Sequence, residues 1–260
     1  NGRVMLSGPS GSGKESAARY IHSNSNRAAA PFVTVGCAAI EPDQMENVLF
    51  GRESPEKGVE MGLLEEANGG IIYFDEIADM PLGTQSKILR VLVDQQFLRV
   101  GGANKVKVDL RVVSSTSKNL ESEVSAGRFR EELYHRLNVV PIAVPSLEDR
   151  REDIPLLAQH FIERLNKEQG LAQRAVSDEA LALLQTMTWP GNLRQLKNMI
   201  ERLLILGESN GEISAKELSA GDALQGNDDT GKIVLPSVMA TLPLREAREE
   251  FEREYLLTQI

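Results

Sequence analysis

An α/β sandwich, with a largely parallel sheet flanked by helices and followed by an all-helical subdomain, is the fold that this 260-residue sequence predicts. Three observations carry the prediction. Short apolar, β-rich runs alternate with helical stretches as far as about residue 145. A glycine-rich turn joins the first strand to the first helix. Beyond that point the pattern becomes helical only.

Val4-Met5-Leu6 is the first strand, followed by the turn and a helix over about 14–22. Residues 32–35 form a second strand, with a helix near 43–50 after it. Ile71-Ile72-Tyr73-Phe74 is an unbroken apolar run, as expected of a strand covered on both faces. Pro81 opens a helix whose buried face is expected to carry Ile88, Val91, Leu92 and Gln95. Residues 97–100 and 106–108 flank Gly101-Gly102-Ala103-Asn104, a hairpin signal, and residues 110–113 and 139–144 supply two further strands. In the helical part, Asp153-Ile154-Pro155 starts one helix and Ser177 caps a second. Asn192 is expected to cap a third, running to about Leu206, and Ser214 and Glu217 form a capping box for a fourth. Residues 221–231 read as a linker, and a last helix follows Pro243. The expected organisation is therefore an α/β unit over 1–145, a helical lid over 146–221, a linker over 222–236 and the start of a further helix over 237–260. The chain reads as a piece of a longer protein.

With 41% hydrophobic and 26% charged residues the composition is that of an ordinary water-soluble globular protein. No apolar run reaches the ~18 residues of a membrane span, so no membrane partner is expected. One cysteine, Cys37, cannot make an internal disulfide, which points to a reducing cytoplasm. A net charge of −9 argues against the whole surface being a nucleic-acid footprint.

Gly8-Pro9-Ser10-Gly11-Ser12-Gly13-Lys14 lies between a strand and a helix. Glycines let such a loop curl its N–H groups around phosphates. The helix N-terminus favours anions, and Lys14 reaches the β and γ oxygens. The segment predicts a nucleoside triphosphate site, for ATP with Mg²⁺. Glu15 stands where the general rule has a magnesium-binding Ser or Thr, so the metal must lean on Asp75, the phosphates and water. Glu15 then simply starts the helix, where its charge suits the dipole. Asp75-Glu76 follows the buried run at the carboxyl end of its strand, where ligands bind in α/β sheets. Asp75 is placed to hold magnesium and Glu76 to polarise the attacking water.

At these residues the chain resembles the central AAA+ ATPase domain of bacterial enhancer-binding transcription activators, the NtrC class that works with the sigma-54 factor. The resemblance covers nearly the whole length. It runs through Gly8 to Glu15, Cys37-Ala38-Ala39-Ile40, Leu49-Phe50-Gly51, Ala67-Asn68-Gly69-Gly70, Asp75-Glu76-Ile77 and Leu89-Arg90-Val91-Leu92. It continues in Arg99-Val100-Gly101-Gly102, Gly127-Arg128-Phe129-Arg130, Tyr134 to Val139, Arg151 to Pro155 and Trp189-Pro190-Gly191-Asn192. It implies an AAA+ sandwich with a helical lid. It also implies that Arg130 and Arg136 are arginine fingers acting on a neighbouring subunit's ATP, hence self-association as a dimer or ring. On the same ground Thr116 belongs to sensor I and Arg194 is the sensor II arginine, while Trp189 reads as core packing.

Three departures stand out. The family's sigma-54-gripping Gly-Ala-Phe-Thr-Gly-Ala belongs between Gly51 and Ile71, and residues 52–62 contain no such motif. Gly36 replaces an asparagine held to restrain the water-activating glutamate, and Ser117 replaces the usual Asn of sensor I. Both replacements are expected to loosen the coupling of hydrolysis to movement. Short-loop members of this class occur among NtrX-like response regulators. That likeness implies a receiver domain and sensor kinase upstream and a helix-turn-helix that contacts DNA downstream. RNA polymerase remains a partner by some route other than the usual loop. The expected function is a nucleotide-dependent assembly or conformational switch with weak hydrolysis at most; the alternative is a full sigma-54-dependent motor.

Overall fold

The computed structural model describes residues 2–56, 58–207 and 211–223. In chain order the α/β unit contains β1 (Val4–Ser7), α1 (Lys14–Ser23), β2 (Phe32–Gly36), α2 (Met45–Phe50), β3 (Arg52–Ser54), β4 (Gly58–Glu60), α3 (Leu63–Glu66) and β5 (Ile71–Asp75). It goes on through α4 (Leu82–Asp94), β6 (Gln96–Leu98), β7 (Lys105–Lys107), β8 (Arg111–Thr116), α5 (Leu120–Ser125), α6 (Glu131–Leu137) and β9 (Val140–Ala143). The lid contributes α7 (Ile154–Gln169), α8 (Asp178–Thr186), α9 (Asn192–Leu206) and α10 (Ala215–Ala223).

Five strands form one parallel sheet in the order β2-β5-β8-β1-β9. Each connection between strands of this sheet is a crossover, as parallel pairing requires. β5 is buried on both faces because its side chains alternate between two cores. Ile72 and Phe74 enter one core with Met5, Val35 and Val112; Ile71 and Tyr73 enter the other with Val4, Leu6 and Val113. The lid has its own core around Trp189, Leu196 and Ile200, and Trp189 is fixed there by its indole N–H donating to Leu184 O at 3.0 Å.

The Gly101-to-Asn104 signal does join an antiparallel hairpin, β6–β7. The short hairpin β3–β4 and helices α3 and α5 were not legible as elements in the sequence. Two local expectations need correction. Gln95 is not on the buried face of α4. It ends the helix in a left-handed conformation (φ 50°), and its side chain accepts from Leu110 N at 3.0 Å. The buried face instead takes Thr84 and Gln85 with Ile88, Val91 and Leu92. Asn192 does not cap α9 but is its first residue, with φ 50°; Gly191 occupies the cap position. The linker expected at 221–231 and the helix after Pro243 lie outside the described residues, except that residues 221–223 close α10.

Candidate nucleotide site

Sheet order builds the site. The carboxyl ends of β1, β8 and β5 are adjacent, with β8 in the middle. The glycine-rich loop leaves β1, Asp75 ends β5, and the hydroxyls Ser115, Thr116 and Ser117 lie between them. In the loop, Gly8, Gly11 and Gly13 have φ of 155°, 74° and 102°, conformations that favour glycine. A Cβ at Gly8 would also collide with the carbonyl of Val144.

Lys14 is buried at the start of α1. Its ammonium donates to Gly8 O (2.9 Å) and Pro9 O (3.1 Å) and pairs with Glu76 Oε1 at 3.1 Å. Asp75 Oδ1 accepts from Tyr73 Oη at 2.9 Å and from Ser115 Oγ at 2.6 Å. Both bonds fall on one oxygen, which leaves Oδ2 for a cation. Burial, with the charge of Asp75 close by, pushes the Tyr73 hydroxyl up, so it stays protonated and donating. Glu76 holds a left-handed backbone (φ 51°, ψ 57°), a strained conformation of the kind that clusters at functional sites. Its N–H donates to Ser115 Oγ at 3.3 Å.

The expectation that Gly36 leaves Glu76 without restraint does not match this geometry. Glu76 Oε2 accepts from Ser117 N at 2.7 Å and from Ser117 Oγ at 2.8 Å, while Oε1 faces Lys14. A short hydroxyl reaches the carboxylate because β8 is the strand next to β5. Thr116, singled out as the sensor residue, is turned elsewhere: its hydroxyl accepts from Lys118 N at 3.0 Å and closes a local turn. The polar contact to Glu76 comes from Ser117, the next residue.

A cleft of about 350 Å³ is lined by Ser10, Gly11, Gly13, Lys14, Glu15, Asp75, Glu76 and, from the lid, Arg194. Pro9 and Ser12 complete the loop, and Ser12 is buried. Glu15 is exposed and forms a one-turn ion pair with Arg19 at 2.7 Å, the bland role expected of it. Arg194 is exposed, with Nη1 3.4 Å from Ser10 Oγ. The lid also presents Phe161, Arg164 and Lys197 to the cleft, none of which the sequence singled out. Their i, i+3 spacing on α7 and α9 is the signal that marks each pair as sharing a helix face.

Arg130 and Arg136 are not brought to this cleft. Arg130 precedes α6, with Nε donating to Leu82 O at 3.2 Å. Arg136 is exposed near Arg3, whose pKa is lowered by burial and then by the charge of Arg136. Arg3 precedes β1, whereas the loop follows β1, so Arg136 lies toward the opposite end of that strand. Buried Gln85, absent from the sequence reading, ties the arginine segment to the strand-end loop. Its Nε2 donates to Met80 O (2.8 Å) and Arg128 O (3.1 Å), and its Oε1 accepts from Arg130 N (2.9 Å).

Residues 1–143 match the family described as Sigma-54 interaction domain, and residues 148–232 match the AAA+ ATPase lid domain. The nitrogen assimilation regulatory protein NtrX of Azorhizobium caulinodans is 52% identical over 270 residues, covering 100% of this chain and 58% of the relative. A putative NtrX-like response regulator of Rickettsia typhi is 41% identical over 263 residues, covering 99% and 55%. A crystal structure of NtrX from Brucella abortus in complex with ATP superposes with a TM-score of 0.76 at 50% identity, covering 99% of this chain and 57% of that one. The chain thus spans a little over half the length of these relatives. With the loop, the paired carboxylates and the lid in place, this chain belongs to the sigma-54 interaction domain family of AAA+ ATPases, joined to its lid domain.

Proposed function

We propose that the chain binds ATP with Mg²⁺ and is the nucleotide-dependent switch of a response regulator that controls transcription. The carrying observation is the cleft, where Lys14, the turned glycines and Asp75 converge on one space beneath a lid. The NtrX of Brucella abortus with ATP bound supports the choice of nucleotide. Magnesium fits Asp75 through Oδ2, since Glu15 has no hydroxyl and faces Arg19. Bound there, the cation would offset charge on the phosphates.

Lys14 is the group that moves when a triphosphate enters. Its ammonium would leave Glu76 Oε1 for the β and γ oxygens, and Oε1 would then be free to take a proton from water. Ser117 keeps Oε2 fixed meanwhile. Arg130 and Arg136 lie away from their own cleft, which suits action on a neighbouring copy in a dimer or ring. Hairpin β3–β4 occupies the place of the sigma-54-gripping loop without its motif, which favours a switch over a motor. A receiver domain, a sensor kinase, a DNA-binding helix-turn-helix and a cytoplasmic location belong to the same proposal, supported by the likeness to NtrX and an NtrX-like response regulator.

Nucleotide affinity and turnover measured on one preparation of full-length protein, beside open-complex formation by sigma-54 polymerase, test the reading. A switch binds ATP, turns it over slowly and does not open the promoter. Steeply concentration-dependent turnover that collapses in Arg136→Ala, together with promoter opening, would establish the motor instead.

A further inference from the structure

Three consecutive carbonyls of the glycine-rich loop are each hydrogen-bonded by the lid or its hinge. Asn192 Nδ2 donates to Ser10 O at 2.9 Å, Leu193 N to Gly11 O at 3.0 Å and Arg150 Nη2 to Ser12 O at 2.6 Å. In a phosphate-binding loop the N–H groups turn inward to the anion, so the carbonyls of the same peptides turn outward. The lid therefore grips the reverse side of the peptides that would hold phosphate. Hydrogen bonds at the two ends of one peptide group polarise each other and strengthen together.

Asn192 is the centre of this clamp. It is buried, and its Oδ1 also accepts from Leu147 N at 2.7 Å, so one amide joins the subdomain hinge to the loop. Its left-handed backbone (φ 50°) is a conformation that asparagine tolerates better than most residues. The fit at Gly11 is equally close, because a Cβ there would collide with the carbonyl of Gly191. We propose that Asn192 is a positioning residue that couples phosphate binding in the loop to the seating of the lid, with Arg150 as its second arm. This rests on the nucleotide-binding reading above. Phosphate then tightens the lid without touching Asn192, and an unseated lid weakens the loop's hold on phosphate.

The test uses Asn192→Asp and Arg150→Met in the full chain. The aspartate keeps the left-handed backbone and the acceptor for Leu147 N, but replaces the donor to Ser10 O with a repelling oxygen. Amide hydrogen exchange at Leu193 reads the clamp directly, with and without ADP, and calorimetry reads ADP affinity. The expected result is that ADP slows Leu193 exchange in the parent. Each variant should speed that exchange and weaken ADP binding about tenfold, with Trp189 fluorescence unchanged. Parent-like Leu193 exchange and ADP affinity in both folded variants would overturn the proposal; if Asn192→Asp does not fold, Arg150→Met decides alone. A parent chain that binds no ADP would sink the nucleotide reading and the coupling built on it. Leu193 exchange without nucleotide would still show whether the clamp forms.

Discussion

At the carboxyl edge of the sheet Lys14, Asp75 and Glu76 are held in one polar network, whereas hairpin β3–β4 is anchored at its base and turns apolar side chains to solvent. Lys14 and Glu76 pair with each other, and with Asp75 they are hydrogen-bonded to Gly8, Pro9, Tyr73, Ser115 and Ser117, of which Tyr73 and Ser115 are buried. At the hairpin, Gly51 turns with φ 70° against the Glu60 carbonyl, Glu53 N donates to Val100 O at 2.9 Å, and Arg99 forks onto Glu65 at 2.9 and 2.6 Å. Val59 on β4 and Met61 just after it are 54% and 63% exposed. Exposed apolar side chains such as these can change without disturbing the site. Likeness to the family at the nucleotide end is therefore no guide to the chemistry of this hairpin.

The buried end should also be the brittle one. Burial pushes the Cys37 thiol up from 9.0 to about 12, with the charges of Asp75, Asp79 and Glu76 adding to the shift. Below about pH 9 the thiol is protonated in folded and unfolded chains alike, and nothing is lost. Between about 9 and 12 it ionises only when unfolded, so stability falls as pH rises, by up to about 4 kcal/mol. Tyr73 is shifted in the same direction. Urea unfolding across this range should show the decline, and Cys37→Ala should make it shallower, leaving the part that Tyr73 contributes above about pH 10. An equal slope in both proteins would break the contrast between a brittle site and an indifferent surface.

Lys14→Ala comes next in size. It removes the phosphate-facing cation and leaves Glu76 Oε1 without its partner, and ATP affinity should drop by about 2–3 kcal/mol. Titration calorimetry checks it, and parent-like affinity would mean that the cleft is not the nucleotide site.

The loop was legible in the sequence because its determinants are local: strand, glycines and helix follow one another within residues 4–23. Asp75-Glu76 was legible because carboxylates directly after four apolar residues are unusual. Tyr73, Ser115 and Ser117 were not, since their roles arise only when parallel strands β5 and β8 fall into register. Ser114-Ser115-Thr116 ending an apolar strand was the available clue. The contacts of Asn192 and Arg150 to the loop were invisible for a stronger reason, as their partners lie 182 and 138 residues away.

Ser117→Ala sharpens the comparison within the site. It deletes one of two donors to Glu76 Oε2 and leaves the backbone N–H. If Ser117 aims the carboxylate, kcat should fall about three- to tenfold, in line with the loss of about 1 kcal/mol for one hydrogen bond. The KM for ATP should stay unchanged. A rise in kcat would make Ser117 a brake, giving it the restraining role that the missing asparagine at Gly36 was expected to leave empty.

The smallest expected effect falls on the hairpin and tests its independence. Val59→Ser combined with Met61→Ser removes two exposed apolar side chains and no bond that holds the base. Stability should shift by no more than about 0.5 kcal/mol, since substitutions at exposed positions away from any structural feature rarely do more. ATP affinity should stay within about twofold, because no described residue of the hairpin lines the cleft. Under the switch reading, transcriptional output is also unchanged. If output is lost while ATP binding and turnover persist, the hairpin is a gripping surface of different chemistry, and the motor reading gains the tool that the sequence did not show.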